Sequence, residues 1–230
     1  MTDHKIVSRA DWIEARRRLL AQEKAFTRQR DELSEARRAL PWVRVDKQYV
    51  FDAPNGKRTL PELFEGRSQL VVYHFMFGPD GVPCKSCSFW ADNLERSVVH
   101  LNARDVSVAV ISRASLDKLQ AFKERMGWTF KWVSSGENDF NFDYGVSFRP
   151  DDKAQTYNYA PKTSGMTELP GISVFHKDQS GALFHTYSCY ARGLDMMNVT
   201  YHYLDLVPKG RDESGPHAMV WVRYHDSYGG

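Results

Sequence analysis

The sequence has few cysteines and no long apolar run. Three cysteines in 230 residues are too few, and odd in number, for the disulfide framework of a small secreted scaffold. The longest apolar run, Leu70–Phe77, contains a histidine and is far shorter than the roughly 20 residues that cross a bilayer. We therefore expect no membrane span and no membrane partner.

The sequence also has no large excess of charge of one sign. Thirty-one basic and 29 acidic side chains leave a formal net charge of +2, which gives no whole-chain attraction to nucleic acid, so we expect no nucleic-acid partner. The first residues, Met-Thr-Asp-His-Lys, lead into a charged segment without the apolar stretch of a secretory signal, which predicts a cytoplasmic location. Hydrophobic residues at 42% and charged residues at 26% are typical of a globular domain.

A segment without proline or glycine, from Ser8 to Leu40, predicts one long helix that Ser8 caps and Pro41 ends. Apolar residues recur along it at intervals of seven: Trp12, Leu19, Phe26, Leu33 and Leu40. This stripe is narrow for a helix packed in a core. We interpret residues 1–42 as a helical extension. Its apolar stripe packs against the rest of the chain or against a second subunit, and we expect a homodimer through this helix.

Residues 43–230 have the element order of a single α/β domain. Its main strands are predicted at Leu70–Phe77, Asp105–Ile111, Gly171–Phe175 and Ala182–Ser188. The first two are each followed by a helix, which indicates a parallel crossover, and the last two form an antiparallel hairpin. Residues 128–168 are rich in aromatics but poor in periodicity, and we interpret them as a folded insertion.

The motif Cys84-Lys85-Ser86-Cys87 follows the first of these strands, where the chain turns into a helix. Side chains three residues apart in a first helical turn lie about 5–6 Å apart at Cβ and can close to a disulfide. The helix N-terminus and the Lys85 cation favour a thiolate, which is the nucleophilic form of cysteine. The spacing and its setting therefore predict a redox dithiol with Cys84 and Cys87 as catalytic residues.

Other interpretations of the cysteines stay open. Both thiols could be small apolar groups packed in the first turn. His74, Cys84, Cys87 and His100 could supply zinc ligands, but the chain has one C-x-x-C only, so we expect no metal and no cofactor. Cys189, alone on the second hairpin strand, is interpreted as a packed thiol.

Two further polar residues are candidates for the site. Arg113 follows the strand Asp105–Ile111, near the sheet edge where sites of such folds collect. It could stabilise a thiolate or a substrate carboxylate, or only cap the next helix. His185 on the hairpin could carry protons or be a satisfied core histidine.

The element order and the motif resemble thioredoxin-like proteins. Those proteins carry a cis proline at the start of the strand that faces the redox cysteines, and Pro170, directly before Gly171–Phe175, matches that position. The resemblance implies a cis peptide bond and a substrate-orienting role for Pro170. A trans turn proline is the alternative.

More closely, the chain resembles a bacterial family of thioredoxin-like proteins called domain of unknown function 899. The resemblance covers nearly the whole length and is carried by these strings: Ser8-Arg-Ala-Asp-Trp12, Leu40-Pro-Trp-Val43, Tyr73-His-Phe-Met-Phe-Gly-Pro79, Cys87-Ser-Phe-Trp-Ala-Asp92, Arg125-Met-Gly-Trp128, Phe184-His-Thr-Tyr187 and Pro208-Lys-Gly-Arg-Asp-Glu213. It implies the thioredoxin-like fold and a cysteine pair at the redox position, and it leaves the reaction open.

The first half of the domain is also similar to peroxiredoxins, which carry Pro-x-x-x-Thr-x-x-Cys after this strand. Here Pro79 is followed by Pro83, and Cys87 lies eight places on, so the match needs a one-residue insertion with Cys84 in place of the threonine. That alignment makes Cys87 the peroxide-reacting cysteine and Cys84 its resolving neighbour.

Three functions follow from these observations. The first is a thiol–disulfide oxidoreductase in which Cys84 attacks a disulfide-containing protein or a small disulfide and Cys87 resolves the mixed disulfide. The second is a peroxiredoxin-like thiol peroxidase that takes a small peroxide. The third is a non-enzymatic binding or assembly module on the same fold.

Overall fold

The computed structural model describes residues 4–152, 154–214 and 218–229 of the chain. They fall into two units, Met1–Pro41 and Trp42–Gly230. The first unit is one helix, α1 (Arg9–Arg38), of 30 residues. Ser8 caps it as predicted, since its hydroxyl oxygen accepts the Asp11 backbone N–H at 3.2 Å. Within the described ranges, no helix is both long and apolar enough to cross a bilayer.

The second unit is built on a sheet of eight strands. In chain order its strands and those of a separate two-stranded ribbon are β1 (Val43–Arg44), β2 (Val50–Ala53), β3 (Gly56–Thr59), β4 (Gln69–His74), β5 (Val106–Ser112), β6 (Lys131–Ser134), β7 (Thr156–Tyr157), β8 (Ala160–Pro161), β9 (Gly171–Lys177) and β10 (Leu183–Tyr190). The sheet order is β1-β10-β9-β4-β5-β6-β2-β3, and β7 pairs with β8.

Helices connect and flank the strands. They are α2 (Lys85–Glu95), α3 (Val98–Asn102), α4 (Leu116–Arg125), α5 (Phe140–Asp143) and α6 (Val199–Leu204), with 3-10 turns at Pro61–Phe64, Ala191–Met197 and His225–Ser227. Gly66 ends the turn before β4. Its φ is +83°, a backbone conformation that residues with a Cβ rarely adopt.

Strand β4 lies at the centre of the sheet. It runs parallel to β5 and antiparallel to β9, so that Tyr73 faces Val110 on one side and Ile172 on the other. β10 pairs antiparallel with β9. A parallel strand–helix–strand unit joined to an antiparallel hairpin through its first strand is the thioredoxin-like arrangement, and the predicted fold is confirmed.

The two faces of the sheet carry separate apolar clusters because side chains alternate along each strand. One cluster includes Tyr73, Phe75, Trp132 and Cys87, and the ring centroids of Phe75 and Trp132 are 4.8 Å apart. The other includes Phe175 on β9. Because β4 is buried on both faces, its sequence is a nearly continuous apolar run.

The predicted strand Leu70–Phe77 ends early, at His74. Phe75 still donates its N–H to the Ile111 carbonyl at 3.1 Å, but the Met76 carbonyl accepts the Cys84 N–H at 3.2 Å. The chain therefore leaves β9 after His74 because its backbone groups bond to the loop before α2. Phe75 and Phe77 stay buried, so the apolar pattern alone did not indicate the end of the strand.

Part of the segment interpreted as an insertion belongs to the main sheet. β6 pairs parallel with β5, and Ile111 faces Val133. Four residues with polar ends are too short to show a strand period, which is why the sequence did not reveal this strand. The remainder of residues 128–168 contains α5 and the β7–β8 ribbon.

Substitution Phe175→Ala tests the packing of the sheet. The Phe175 side chain is fully buried, so its loss should lower the free energy of unfolding by about 3–5 kcal/mol through lost burial and an unfilled cavity. Denaturant unfolding followed by circular dichroism measures it. Tyr203→Ala, at a side chain that is 67% exposed, is the control and should change stability by no more than about 0.5 kcal/mol. Equal effects of the two variants would contradict the assigned core.

Candidate active site

Cys84 is the N-cap residue of α2, not a residue of its first turn as the sequence analysis assumed. Its backbone is extended, with φ −73° and ψ 126°, and its Sγ accepts the Cys87 backbone N–H at 3.4 Å. A cap side chain satisfies one of the N–H groups that a helix start leaves without partners. A thiolate does this better than a thiol because the bond then gains from the sulfur's charge.

These contacts lower the pKa of Cys84 from the ordinary value of 9.0 to about 7. The largest cause is a hydrogen bond with the Cys87 side chain, and the N–H groups of Cys87 and Ser86 add to it, whereas burial acts in the opposite direction. At pH 7 a drop of this size changes the thiolate fraction from about one in a hundred to about one half. Cys84 is therefore the more acidic sulfur of the pair.

Cys87 has the opposite character. Its residue is 2% exposed, and burial, followed by the hydrogen bond with Cys84 and that sulfur's charge, raises the pKa of Cys87 well above its usual range. Its Sγ accepts the Met76 N–H at 3.4 Å, and its carbonyl accepts the Tyr73 hydroxyl at 3.2 Å. One sulfur of the motif is thus partly exposed and acidic, and the other is buried and protonated.

Cys84 opens into a cleft of about 650 Å³, here called the Cys84 cleft. Its lining is mostly apolar or backbone and comes from Met76, Gly78, Pro79, Asp80, Gly81, Val82, Arg113, Phe148, Pro150, Met166, Thr167 and Glu168. Cys87 is not part of that lining. A larger cleft of about 850 Å³, lined by Lys123 and Lys131 among others, contains neither cysteine and lies apart from the motif.

Arg113 lines the same cleft as Cys84, so the structure brings these two predicted site residues together. Its guanidinium pairs with Glu168 at 3.1 Å, and the other carboxylate oxygen of Glu168 accepts the Ser147 hydroxyl at 2.6 Å. Burial raises the pKa of Glu168, while Ser147 and Arg113 act against this. Among the described residues, the buried Arg113 Nε has no hydrogen-bond partner, so Arg113 keeps one donor although Glu168 balances its charge.

The two other predicted site residues, Lys85 and Pro170, are not part of the lining of the Cys84 cleft. Lys85 is the first residue of α2 and its side chain is exposed. Pro170 precedes β9 and is not among the residues that line the Cys84 cleft; its carbonyl accepts the Tyr157 hydroxyl at 2.7 Å. The Leu169–Pro170 peptide bond is trans, so the cis bond implied by the resemblance to thioredoxin-like proteins is wrong.

His185 and His74 belong to a separate polar chain that crosses β4, β9 and β10. His74 Nε2 lies 2.9 Å from the Ser173 hydroxyl, which lies 2.9 Å from the Ser188 hydroxyl, which lies 2.7 Å from His185 Nε2. Burial lowers the pKa of His74 to about 3 and also lowers that of His185. His74 is therefore a neutral core histidine, and no group of three metal-ligating side chains forms within the described part of the chain.

The sequence analysis missed a contact from the C-terminal segment. The Tyr224 hydroxyl donates to the Pro83 carbonyl at 2.6 Å, directly before Cys84. The neighbouring Asp226 binds Arg125 through two hydrogen bonds of 2.7 and 3.1 Å. The tyrosine and the proline are 141 residues apart, and no local pattern could have linked them.

The different pKa values of the two cysteines predict different alkylation profiles. In the unmodified protein, the rate at which iodoacetamide modifies Cys84 should rise with pH and reach half its maximum near pH 7, since the thiolate is the reacting species. Cys87 should stay unmodified across neutral pH. Mass spectrometry of peptides after timed alkylation measures both rates. Similar profiles for both cysteines, with midpoints near 9, would contradict the asymmetry.

Substitution Tyr224→Phe tests the C-terminal contact. It removes one hydrogen bond to a backbone carbonyl and should lower the free energy of unfolding by about 1 kcal/mol. Hydrogen exchange should increase in the loop that contains Pro83. Tyr203→Phe, at a side chain that is 67% exposed, serves as control. An unchanged exchange rate in the loop would show that Tyr224 does not hold it.

Several solved structures are similar to this chain. Peroxidoxin BcpB from Mycobacterium tuberculosis is 14% identical, with a TM-score of 0.47, over 70% of this chain and 95% of that chain. The mitochondrial 2-cys peroxiredoxin from Plasmodium falciparum is also 14% identical, with a TM-score of 0.42, over 70% of this chain and 91% of that chain. No curated protein matches the sequence. Residues 1–228 match the family described as bacterial protein of unknown function (DUF899), and the chain belongs to this family.

Proposed function

We propose that the protein is a thiol–disulfide oxidoreductase in which Cys84 attacks and Cys87 resolves. The observation that carries this proposal is the asymmetry of the pair. Cys84 opens into a cleft and has a pKa of about 7, and Cys87 lies buried next to it with a raised pKa. Efficient thiol–disulfide exchange needs an accessible sulfur whose pKa is near the ambient pH. It also needs a second thiol that attacks only after the mixed disulfide has formed.

In the first step the Cys84 thiolate attacks one sulfur of a substrate disulfide. A bond forms between Cys84 Sγ and that sulfur, the substrate S–S bond breaks, and the second substrate sulfur leaves as a thiolate that takes a proton from water. The product is a mixed disulfide. The charge on Cys84 disappears in this step.

That loss of charge prepares the second step. The hydrogen bond with Cys84 and the charge of its sulfur contribute to the raised pKa of Cys87, so their removal makes Cys87 more acidic. The Met76 N–H and the Tyr73 hydroxyl, which favour the Cys87 thiolate, remain in place. Cys87 then loses its proton and attacks Cys84 Sγ. The bond from Cys84 to the substrate sulfur breaks, that sulfur takes up the proton and leaves as a thiol, and a Cys84–Cys87 disulfide remains. The substrate gains two electrons and the dithiol loses two.

The disulfide must be reduced by an external thiol before the next turnover. We place the protein in the cytoplasm, where thiols are kept reduced and can supply these electrons. The apolar lining of the Cys84 cleft suits a disulfide carried on a polypeptide or a small organic disulfide. Arg113 lines the cleft and is the basic residue that we place beside the substrate. Lys85 and Pro170 stand outside the cleft lining, so we assign them no contact with substrate.

The peroxidase alternative fits these contacts less well. It makes Cys87 the peroxide-reacting cysteine, although Cys87 is buried and its pKa is raised. A peroxide would have to pass Cys84, which is the more acidic thiol, to reach it. A non-enzymatic binding module needs neither the accessible thiolate nor its buried partner. The oxidoreductase is therefore the function that we put forward.

Cysteine variants test the mechanism. With an aromatic disulfide as substrate, Cys84→Ser should lose all detectable reduction because no accessible thiolate remains. Cys87→Ser should stop after one step and accumulate a mixed disulfide on Cys84, which intact-mass spectrometry detects. Cys189→Ala, at a buried cysteine outside the Cys84 cleft, is the control and should keep the rate within about twofold.

Two results would contradict this assignment. Trapping of the substrate on Cys87 in the Cys84→Ser variant would reverse the roles of the cysteines. Rapid oxidation of Cys87 by hydrogen peroxide in stopped-flow fluorescence, with no reaction towards the disulfide, would favour the peroxidase. Loss of activity in the Cys189→Ala control would show that the substitutions act through folding.

A further inference from the structure

Helix α1 carries an apolar row that is exposed. Trp12 is 48% and Phe26 67% exposed, and none of the 30 residues of the helix is buried. Most helical stability in proteins comes from packing of an apolar face against other structure. A row of large apolar side chains over five turns or more therefore indicates a surface for another polypeptide.

The row has the spacing of a coiled-coil seam. If Trp12 is taken as heptad position a, the a positions are Trp12, Leu19, Phe26, Leu33 and Leu40, and the d positions are Ala15, Gln22, Gln29 and Ala36. Alanine at d lets two backbones come close, and a polar residue at a seam position fixes register at some cost in stability. The repeat of seven is the period at which two helices remain in contact along their length.

The flanking charges indicate which partner fits. In a parallel pair in register, each g residue faces the e residue five positions later on the other helix. The facing pairs are Asp11 with Arg16, Arg18 with Glu23, Ala25 with Arg30, and Glu32 with Arg37. Three pairs join opposite charges, the fourth is neutral, and none joins like charges. The surface is thus complementary to itself.

An antiparallel pair is less well matched. It would set Arg16 opposite Arg37 of the partner subunit, which places two positive charges together near each end of the seam. Within the single helix Arg16 pairs with Glu23 at 2.8 Å and Arg18 with Glu14 at 2.6 Å. Exposed ion pairs of this kind contribute little, so these side chains can exchange partners at small cost.

We propose that α1 forms a parallel, in-register coiled coil with α1 of a second copy, which makes the protein a homodimer. The surface is the a row together with the g and e charges that flank it. The proposal does not depend on the chemistry of the cysteines, because it rests on residues 11–40 alone.

Light scattering of the full chain tests the proposal. The measured mass should be twice the 26.5 kDa of one chain, and Phe26→Glu should halve it by placing two carboxylates in the seam. Lys24→Glu, two residues away on the outer face of the helix, is the matched control and should keep the dimer mass. Circular dichroism checks that both variants stay folded. A monomer mass for the unmodified chain, or a dimer that Phe26→Glu leaves intact, would overturn the proposal.

A charge exchange tests the pairing. Glu32→Arg should weaken the dimer about tenfold, as measured by sedimentation over a concentration series, because two attractive pairs become repulsive. The double variant Glu32→Arg with Arg37→Glu restores opposite charges and should recover the affinity. Equal affinities for all three proteins would overturn the assigned register.

A cross-link tests the direction of the helices. In a parallel dimer Leu33 faces Leu33 of the partner subunit, so Leu33→Cys should give a covalent dimer under mild oxidation, while the parent chain, treated in the same way, should not. An antiparallel dimer that sets Arg16 opposite Arg37 would bring Leu33 opposite Gln22 of the partner subunit, and would cross-link only in a mixture of the Gln22→Cys and Leu33→Cys proteins. That result would overturn the parallel arrangement.

Discussion

The hydrogen bond from the Cys87 N–H to the Cys84 sulfur is the contact on which the site depends. It makes Cys84 the residue that caps α2 and so keeps its backbone extended while Cys87 lies one turn into the helix. The backbone of Met76 holds both cysteines to the end of β4, since its carbonyl accepts the Cys84 N–H and its N–H donates to the Cys87 sulfur. Two cysteines of the same chemical type therefore face different surroundings at a short distance. The difference in their pKa values follows from burial, from hydrogen bonding and from the charge of the Cys84 sulfur.

The rest of the domain supports this difference. β4 is covered on both sides by strands and on both faces by apolar clusters, and Met76 lies two residues beyond the end of this central strand. Tyr224 fixes the Pro83 carbonyl from the C-terminal segment. The loop between β4 and α2 is thus held at both ends, and the Cys84 side chain stays at the mouth of the cleft while Cys87 stays under it. The position of the Cys84 sulfur thus depends on contacts from β4 and from the C-terminal segment.

The sequence predicted those parts of this arrangement that have a local cause. Ser8 as a cap and the central strand β4 each depend on neighbours within a few residues, and both were predicted correctly in kind. Glu168 and Tyr224 were not found because their partners, Arg113 and Pro83, are distant in the chain. The cis bond at Pro170 was wrong for a related reason. It was carried over from the resemblance to thioredoxin-like proteins, and no local pattern around Leu169–Pro170 in this sequence specifies the isomer, which is trans.

The two units of the chain differ in how far they bury their apolar side chains. The second unit buries its aromatic residues against its own strands and helices, and its cysteine pair is complete within residues 73–87. Helix α1 buries none of its residues, yet its charges are ordered so that a second α1 would meet opposite signs along the seam. The two features are carried by different residues, since the seam lies before Pro41 and the hydrogen bonds of the two sulfurs lie within residues 73–87. The proposed chemistry and the proposed assembly therefore rest on separate stretches of this sequence, and a loss of one by mutation need not carry the other with it.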